Sequence, residues 1–188
     1  TQGVSSAASD VYKRQVQTGQ VQLGEILLTA YSNEDPFFDA DALPFLVPDW
    51  AGAKKLADLQ RPYIEERLRK QGLSLLYTVA WPSAGFYTQV PLNSLDVLKG
   101  SRFRTFSPLT NRFAALIGAN PVLVQQAELA QAFATGIATA MVTSAQTGVD
   151  TSAWDYAKVF TPAAFSMTKN AVLISRRALE SLPADQQQ

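Results

Sequence analysis

The chain has 188 residues with no cysteine and no histidine, and 16 basic residues balance 16 acidic ones for a formal net charge of +0. Such a length suffices for one good-sized core or parts of two lobes. The missing residue types exclude disulfides, thiolate nucleophiles, imidazole or thiolate metal sites and histidine-dependent acid–base chemistry, and the charge balance, without any basic run, argues against a nucleic-acid partner.

Residues 1–15 (TQGVSSAASDVYKRQ) are small, polar and aperiodic. Their stretch Val4–Gln15 resembles read-through sequence at the ends of fragmentary environmental reads, so an extraneous or disordered leader is expected there. From Val16 onward the pattern carries information. Alternation over Val21–Leu28 predicts a strand, followed by a turn-forming loop at Tyr31–Pro36 and a short apolar segment, Ala42–Leu46, broken by Pro44. Ala51–Gln71 reads as a helix with an apolar stripe at Leu56, Leu59, Ile64 and Leu68, interrupted at Pro62 and stopped by Gly72.

Leu73–Ala80 is a strand, expected to be buried on both faces at its end, and Trp81-Pro82-Ser83-Ala84-Gly85 breaks it before Phe86–Val90 resumes extended structure. One helical turn at Leu95–Leu98 precedes Gly100. Two strand-then-helix units follow: strand Arg102–Phe106 with helix Ser107–Ile117, and strand Pro121–Val124 with helix Ala127–Thr135, the helices stopped by Gly118 and Gly136. Ile137–Val142 is a further strand and Trp154–Val159 a helix; Ala163–Thr168 and Asn170–Ser175 read as strands, and Arg177–Ser181 begins a helix. Alternating strands and helices imply an α/β protein with mainly parallel sheet covered on both sides. No apolar run approaches the roughly 20 residues of a membrane span. No charged start with an apolar h-region is visible.

Arg104 is the leading candidate for chemistry. It stands two residues from the carboxyl end of its strand, where open α/β sheets bind ligands. Ser107 is a natural N-cap with Pro108 at the first helical position, so free N–H groups and the positive helix end reinforce the guanidinium. Arginine meets a carboxylate fork-to-fork, which makes anion capture the sharper reading against an ordinary surface ion pair. Thr143 and Ser144 end another strand and offer hydroxyls, or serve as simple caps. Trp81, at the break before Pro82, is either a pocket wall or core. The acidic stretch Glu34, Asp35, Asp39 and Asp41 lacks calcium-loop spacing and is expected to be a solvated loop. No carboxylate pair stands out for acid–base work, and no metal or cofactor is expected.

Six stretches in order resemble a known family: Gln17–Leu23, Asp41–Phe45, Leu98–Arg104, Leu116–Val122, Ala127–Gly136 and the tail Asn170–Ile174 with Leu179–Pro183. The chain resembles the middle of a solute-binding (DctP-like) subunit of a tripartite ATP-independent periplasmic (TRAP) transporter. That resemblance implies a periplasmic-binding-protein-like two-lobed clamshell, truncated at both ends, with lobe one at 16–80, lobe two at 81–169 and a return to lobe one at 170–188. It further implies a small organic acid in the interlobe cleft, delivered to a sodium-coupled TRAP permease, with no enzymatic activity. The protein would be periplasmic, monomeric or dimeric, and not itself membrane-spanning. In the family the arginine of a Gly-x-x-x-Arg motif pairs with the ligand carboxylate, and Arg104 matches that position; a polar residue after the following strand falls near Thr143 and Ser144. The alternatives are an α/β enzyme using Glu34 or Asp35 as base, and a ligand-sensing domain of a signalling protein.

Overall fold

A computed structural model describes residues 6–187, with the side chains described from Tyr12 onward. It contains two sheets. The first has the order β1-β8-β2, from β1 (Leu23–Leu27), β2 (Leu73–Ala80) and β8 (Lys169–Ser175), and β8 runs antiparallel to both neighbours. The second has the order β5-β4-β6-β3-β7, from β3 (Ala84–Thr88), β4 (Arg102–Thr105), β5 (Asn120–Leu123), β6 (Ala140–Ser144) and β7 (Val159–Pro162). Here β4 pairs in parallel with β5 and β6, while β3 runs antiparallel to β6 and β7. The first sheet is therefore antiparallel and the second mixed, where mainly parallel sheets were expected. Parallel pairing is confined to the strand–helix units, because only those have a helical crossover between strands.

The helices are α1 (Ser6–Gln17), α2 (Trp50–Lys70), α3 (Pro108–Leu116), α4 (Leu129–Ala134), α5 (Ala145–Asp150) and α6 (Arg176–Glu180). Part of the expected leader thus falls in α1, whose Val16 joins the first core; residues 1–5 lie outside the described residues. That core brings Val16 together with Ile26, Ile64, Leu68, Leu73, Leu75, Ala171 and Leu173. In α2, Asp49 caps the start by accepting from the Gly52 N–H at 2.8 Å, and the helix passes through Pro62 without a break. Pro62 and Asp58, the residue whose carbonyl loses its helical donor, are both exposed. The buried stripe differs from the expected one: Leu59 is exposed and Gln60 faces inward with Ile64 and Leu68. The carboxyl end of β2 is likewise open rather than buried, with Tyr77 and Val79 exposed.

The second sheet is covered on both faces, as its apolar strands require. Phe86, Phe103 and Val142 join Phe165 and the helix α3 residues Phe113 and Ala114 on one side. Tyr87 and Met141, the strand neighbours of Phe86 and Val142, join Leu129 and Phe133 of α4 on the other. Gly85 in the middle of β3 tolerates no side chain: a Cβ there would stand 2.6 Å from the Phe160 ring and 2.7 Å from the Thr161 carbonyl. The expected helix at Trp154–Val159 shortens to a single turn, Ala153–Asp155, because Val159–Pro162 pairs with β3 as an edge strand. Residues 163–168 form no strand. They cross between the sheets beside residues 81–84, held by Trp81 N–H to Thr168 O at 2.8 Å and Ala84 N–H to Ser166 O at 2.9 Å.

Candidate ligand-binding cleft

A cavity of about 1710 Å³ opens between the two sheets and takes residues from both. From the second sheet come the ends of β4 and β6 and the turns that follow them. Arg104, Thr105 and Ser107 lie at the first end, Thr143 and Ser144 at the second, and Trp81 at the crossing; all line the cavity. The five sequence candidates are therefore brought together. Residues from the first sheet, Glu25 and Asn170, face the same space.

Arg104 is only 4 % exposed. Its Nε donates to the Val124 carbonyl at 2.8 Å, and its guanidinium carbon lies 4.9 Å from the centre of the Phe106 ring. Those two contacts fix the plane of the guanidinium without neutralising it. None of the ion pairs among the described residues includes Arg104. Burial pulls its pKa down to about 10, with the Tyr156 phenol acting in the opposite direction. The side chain is thus still cationic at neutral pH, and a buried cation without a counter-ion is costly unless a ligand supplies one.

The hydroxyl groups around it divide by availability. Ser107 caps α3, accepting from the Thr110 N–H at 3.2 Å, while Thr110 Oγ1 accepts in turn from the Ser107 N–H at 3.0 Å. Ser144 caps α5 in the same manner, accepting from the Thr147 N–H at 3.0 Å. Both serines shape helix ends beside the cavity, so their hydroxyls are largely committed. Thr143 also lines the cavity, and no such bond holds its hydroxyl among the described residues. Thr105, which the sequence reading passed over, has a fully buried Oγ1 without a partner among the described residues. Trp81 spends its Nε1–H on Asn170 at 2.8 Å, which leaves the indole as an apolar wall.

The acidic loop is not a solvated run. Asp35 caps a short turn through the Phe37 N–H at 2.9 Å and pairs with Arg67, Asp39 accepts from Thr29, and Glu34 pairs with Lys13. Asp41 is 4 % exposed and pairs with Lys169 at 2.8 Å. Among the described residues no group of acidic side chains could hold a metal ion, and no helix is long and apolar enough to cross a membrane.

The sequence profile of bacterial extracellular solute-binding protein family 7, DctP, matches residues 7–188. Among solved structures, DctP7 of Bordetella pertussis, an extracytoplasmic solute receptor binding pyroglutamic acid, is 45 % identical with a TM-score of 0.92. A TRAP solute-binding protein from a marine metagenome, in complex with co-purified pyroglutamate, is 35 % identical with a TM-score of 0.89. A TRAP periplasmic protein of Xanthobacter autotrophicus with bound β-D-galacturonate, at 23 % identity and a TM-score of 0.87, shares the fold. This chain is covered to 95 %, 93 % and 97 % in the three comparisons, but it spans only 59 %, 58 % and 61 % of those proteins' lengths. No curated protein sequence matches the chain.

Proposed function

Because this chain belongs to the DctP family, family 7 of the bacterial extracellular solute-binding proteins, we propose that it captures a small organic acid outside the cytoplasmic membrane and presents it to a TRAP permease. The observation that carries this reading is the buried, uncompensated Arg104 cation facing an interlobe cavity. A ligand carboxylate completes a two-point ion pair there, and the water-poor setting strengthens it. Thr143 adds a hydroxyl to the carboxylate or its neighbour, and the capped start of α3 at Ser107 adds favourable field. Trp81 and Ser144 complete the wall. The site binds without turnover: Glu34 and Asp35, the bases an enzyme reading would use, are held in ion pairs with Lys13 and Arg67.

Pyroglutamate is the first candidate ligand, since relatives 45 %, 43 % and 35 % identical are described with it. A thermal-shift panel of the full chain tests the class. Pyroglutamate, lactate, malonate and glucuronate should include at least one acid that raises the melting temperature by several degrees at 1 mM, as binding to the folded state alone requires. The matching neutral amides should raise it by less than one degree. A panel in which no acid acts, or in which amides act equally, contradicts the reading.

A further inference from the structure

The first sheet contributes a second polar pole to the cavity that Arg104 lines, and its hydrogen-bonding sense is fixed by a three-residue relay. Indole Nε1–H can only donate, so the Trp81 contact at 2.8 Å makes Asn170 Oδ1 an acceptor. The other end of that amide, Nδ2, is then a donor, and it donates to Glu25 Oε1 at 2.8 Å. Glu25 lines the cavity, and among the described residues it makes no ion pair and has no partner for its second oxygen. The relay is built on rigid supports. Asn170 sits on the central strand β8, Glu25 on β1 with its neighbour Ile26 anchored in the core, and Trp81 at the crossing between lobes.

We infer that Glu25 is the specificity-determining residue of the cleft, selecting acids that carry an N–H or O–H donor away from the carboxylate. This inference rests on the carboxylate capture by Arg104 proposed above, and it adds the class of the ligand's other end. A carboxylate oxygen presents only lone pairs. It accepts from a lactam N–H, an ammonium or a hydroxyl, and it repels an ether or ester oxygen in the same place. A ligand with an N–H or O–H at that place gives the Glu25 carboxylate a partner, whereas an ether or ester oxygen sets lone pair against lone pair and displaces water without replacing its hydrogen bond.

The experiment compares pyroglutamate, which has a ring N–H, with its lactone isostere 5-oxotetrahydrofuran-2-carboxylate, which has a ring oxygen. Lactate against 2-methoxypropanoate repeats the comparison for open-chain acids. Affinities of the full chain are read by calorimetry in the wild type and in Glu25→Gln. Glutamine keeps an oxygen for Asn170 Nδ2 and turns its amide N–H₂ toward the cavity. The wild type should prefer the donor-bearing acid at least about 30-fold, and the glutamine variant should lose or invert that preference while both still bind acids rather than amides. Equal wild-type binding of donor-bearing and donor-free acids, or an unchanged preference in the variant, overturns the inference and leaves carboxylate capture standing. Failure of the wild type to bind any of the four acids overturns both.

Discussion

Replacing Arg104 with methionine is expected to remove organic-acid binding and, at the same time, to raise the melting temperature of the ligand-free protein. The two effects have one origin. The guanidinium is 4 % exposed, with the Val124 carbonyl and the Phe106 ring as its described contacts and no protein carboxylate among them. Exchanging a buried ion pair for apolar residues of similar volume is neutral or stabilising by about 1–4 kcal/mol, and a buried charge with no counter-ion has no pairing energy to lose in the exchange. Against that stands the Val124 carbonyl, left without its donor at a cost of about 1–3 kcal/mol. The balance favours the variant by about 1 kcal/mol, a rise of about 2–4 °C for a protein of this size. The bound state has the opposite sign. Truncating one partner of a desolvated charge pair costs about 2–5 kcal/mol, so affinity should fall between about thirtyfold and several thousandfold. Arg104→Lys keeps the charge but loses the fork and the bond to Val124, and should bind weakly without the gain in stability. Calorimetry and melting curves on the three proteins check this; unchanged acid affinity in the methionine variant would refute the role given to Arg104.

The largest loss of stability is expected at a second site of buried charge. Lys169, on the strand that enters from the crossing, donates to Asp41 at 2.8 Å and to Gln60 at 2.6 Å, all three buried. Burial pushes the Asp41 carboxyl up from 3.8, and the Lys169 ammonium pulls it back without prevailing. Lys169→Met strands that carboxylate, which costs about 3–5 kcal/mol and lowers the melting temperature by roughly 10 °C. The pH dependence carries the diagnostic sign. With its folded pKa above the unfolded 3.8, the carboxyl holds a proton in the folded state through a window where the unfolded chain has released it. Stability therefore falls as pH rises through that window and recovers on acidification. The deficit of Lys169→Met should shrink as pH is lowered toward 4, and the double variant Asp41→Leu with Lys169→Met should regain most of the loss at neutral pH. Single variants indistinguishable from wild type at pH 7 would show that the pair contributes nothing.

Local signals in the chain were legible where structure is local. The strand Leu73–Ala80 falls where its apolar run places it, and α3 starts and stops at Ser107, Pro108 and Gly118 because capping depends on neighbouring residues alone. Arg104 could be singled out for the same reason: its place near a strand end and before a helix cap is written in consecutive residues. Pairings across the chain were not legible. Asp41 reads as one more acid in a polar loop until the fold brings Lys169 to it from 128 positions away. Glu25 reads as a strand's outward residue until Asn170, 145 positions on, reaches it. The edge strand β7 escaped for a related reason. Val159–Pro162 has little pattern of its own and becomes a strand through its ladder with β3. The resemblance to DctP-like subunits supplied the clamshell, which periodicity alone would have left as a mainly parallel sheet.

One calorimetric titration tests the central claim most directly: the full wild-type chain against pyroglutamate and, separately, against its neutral carboxamide. Anion capture by Arg104 predicts saturable binding of the acid and at least a hundredfold weaker binding of the amide, about 2.8 kcal/mol at 25 °C. Equal affinity for the two compounds would contradict it.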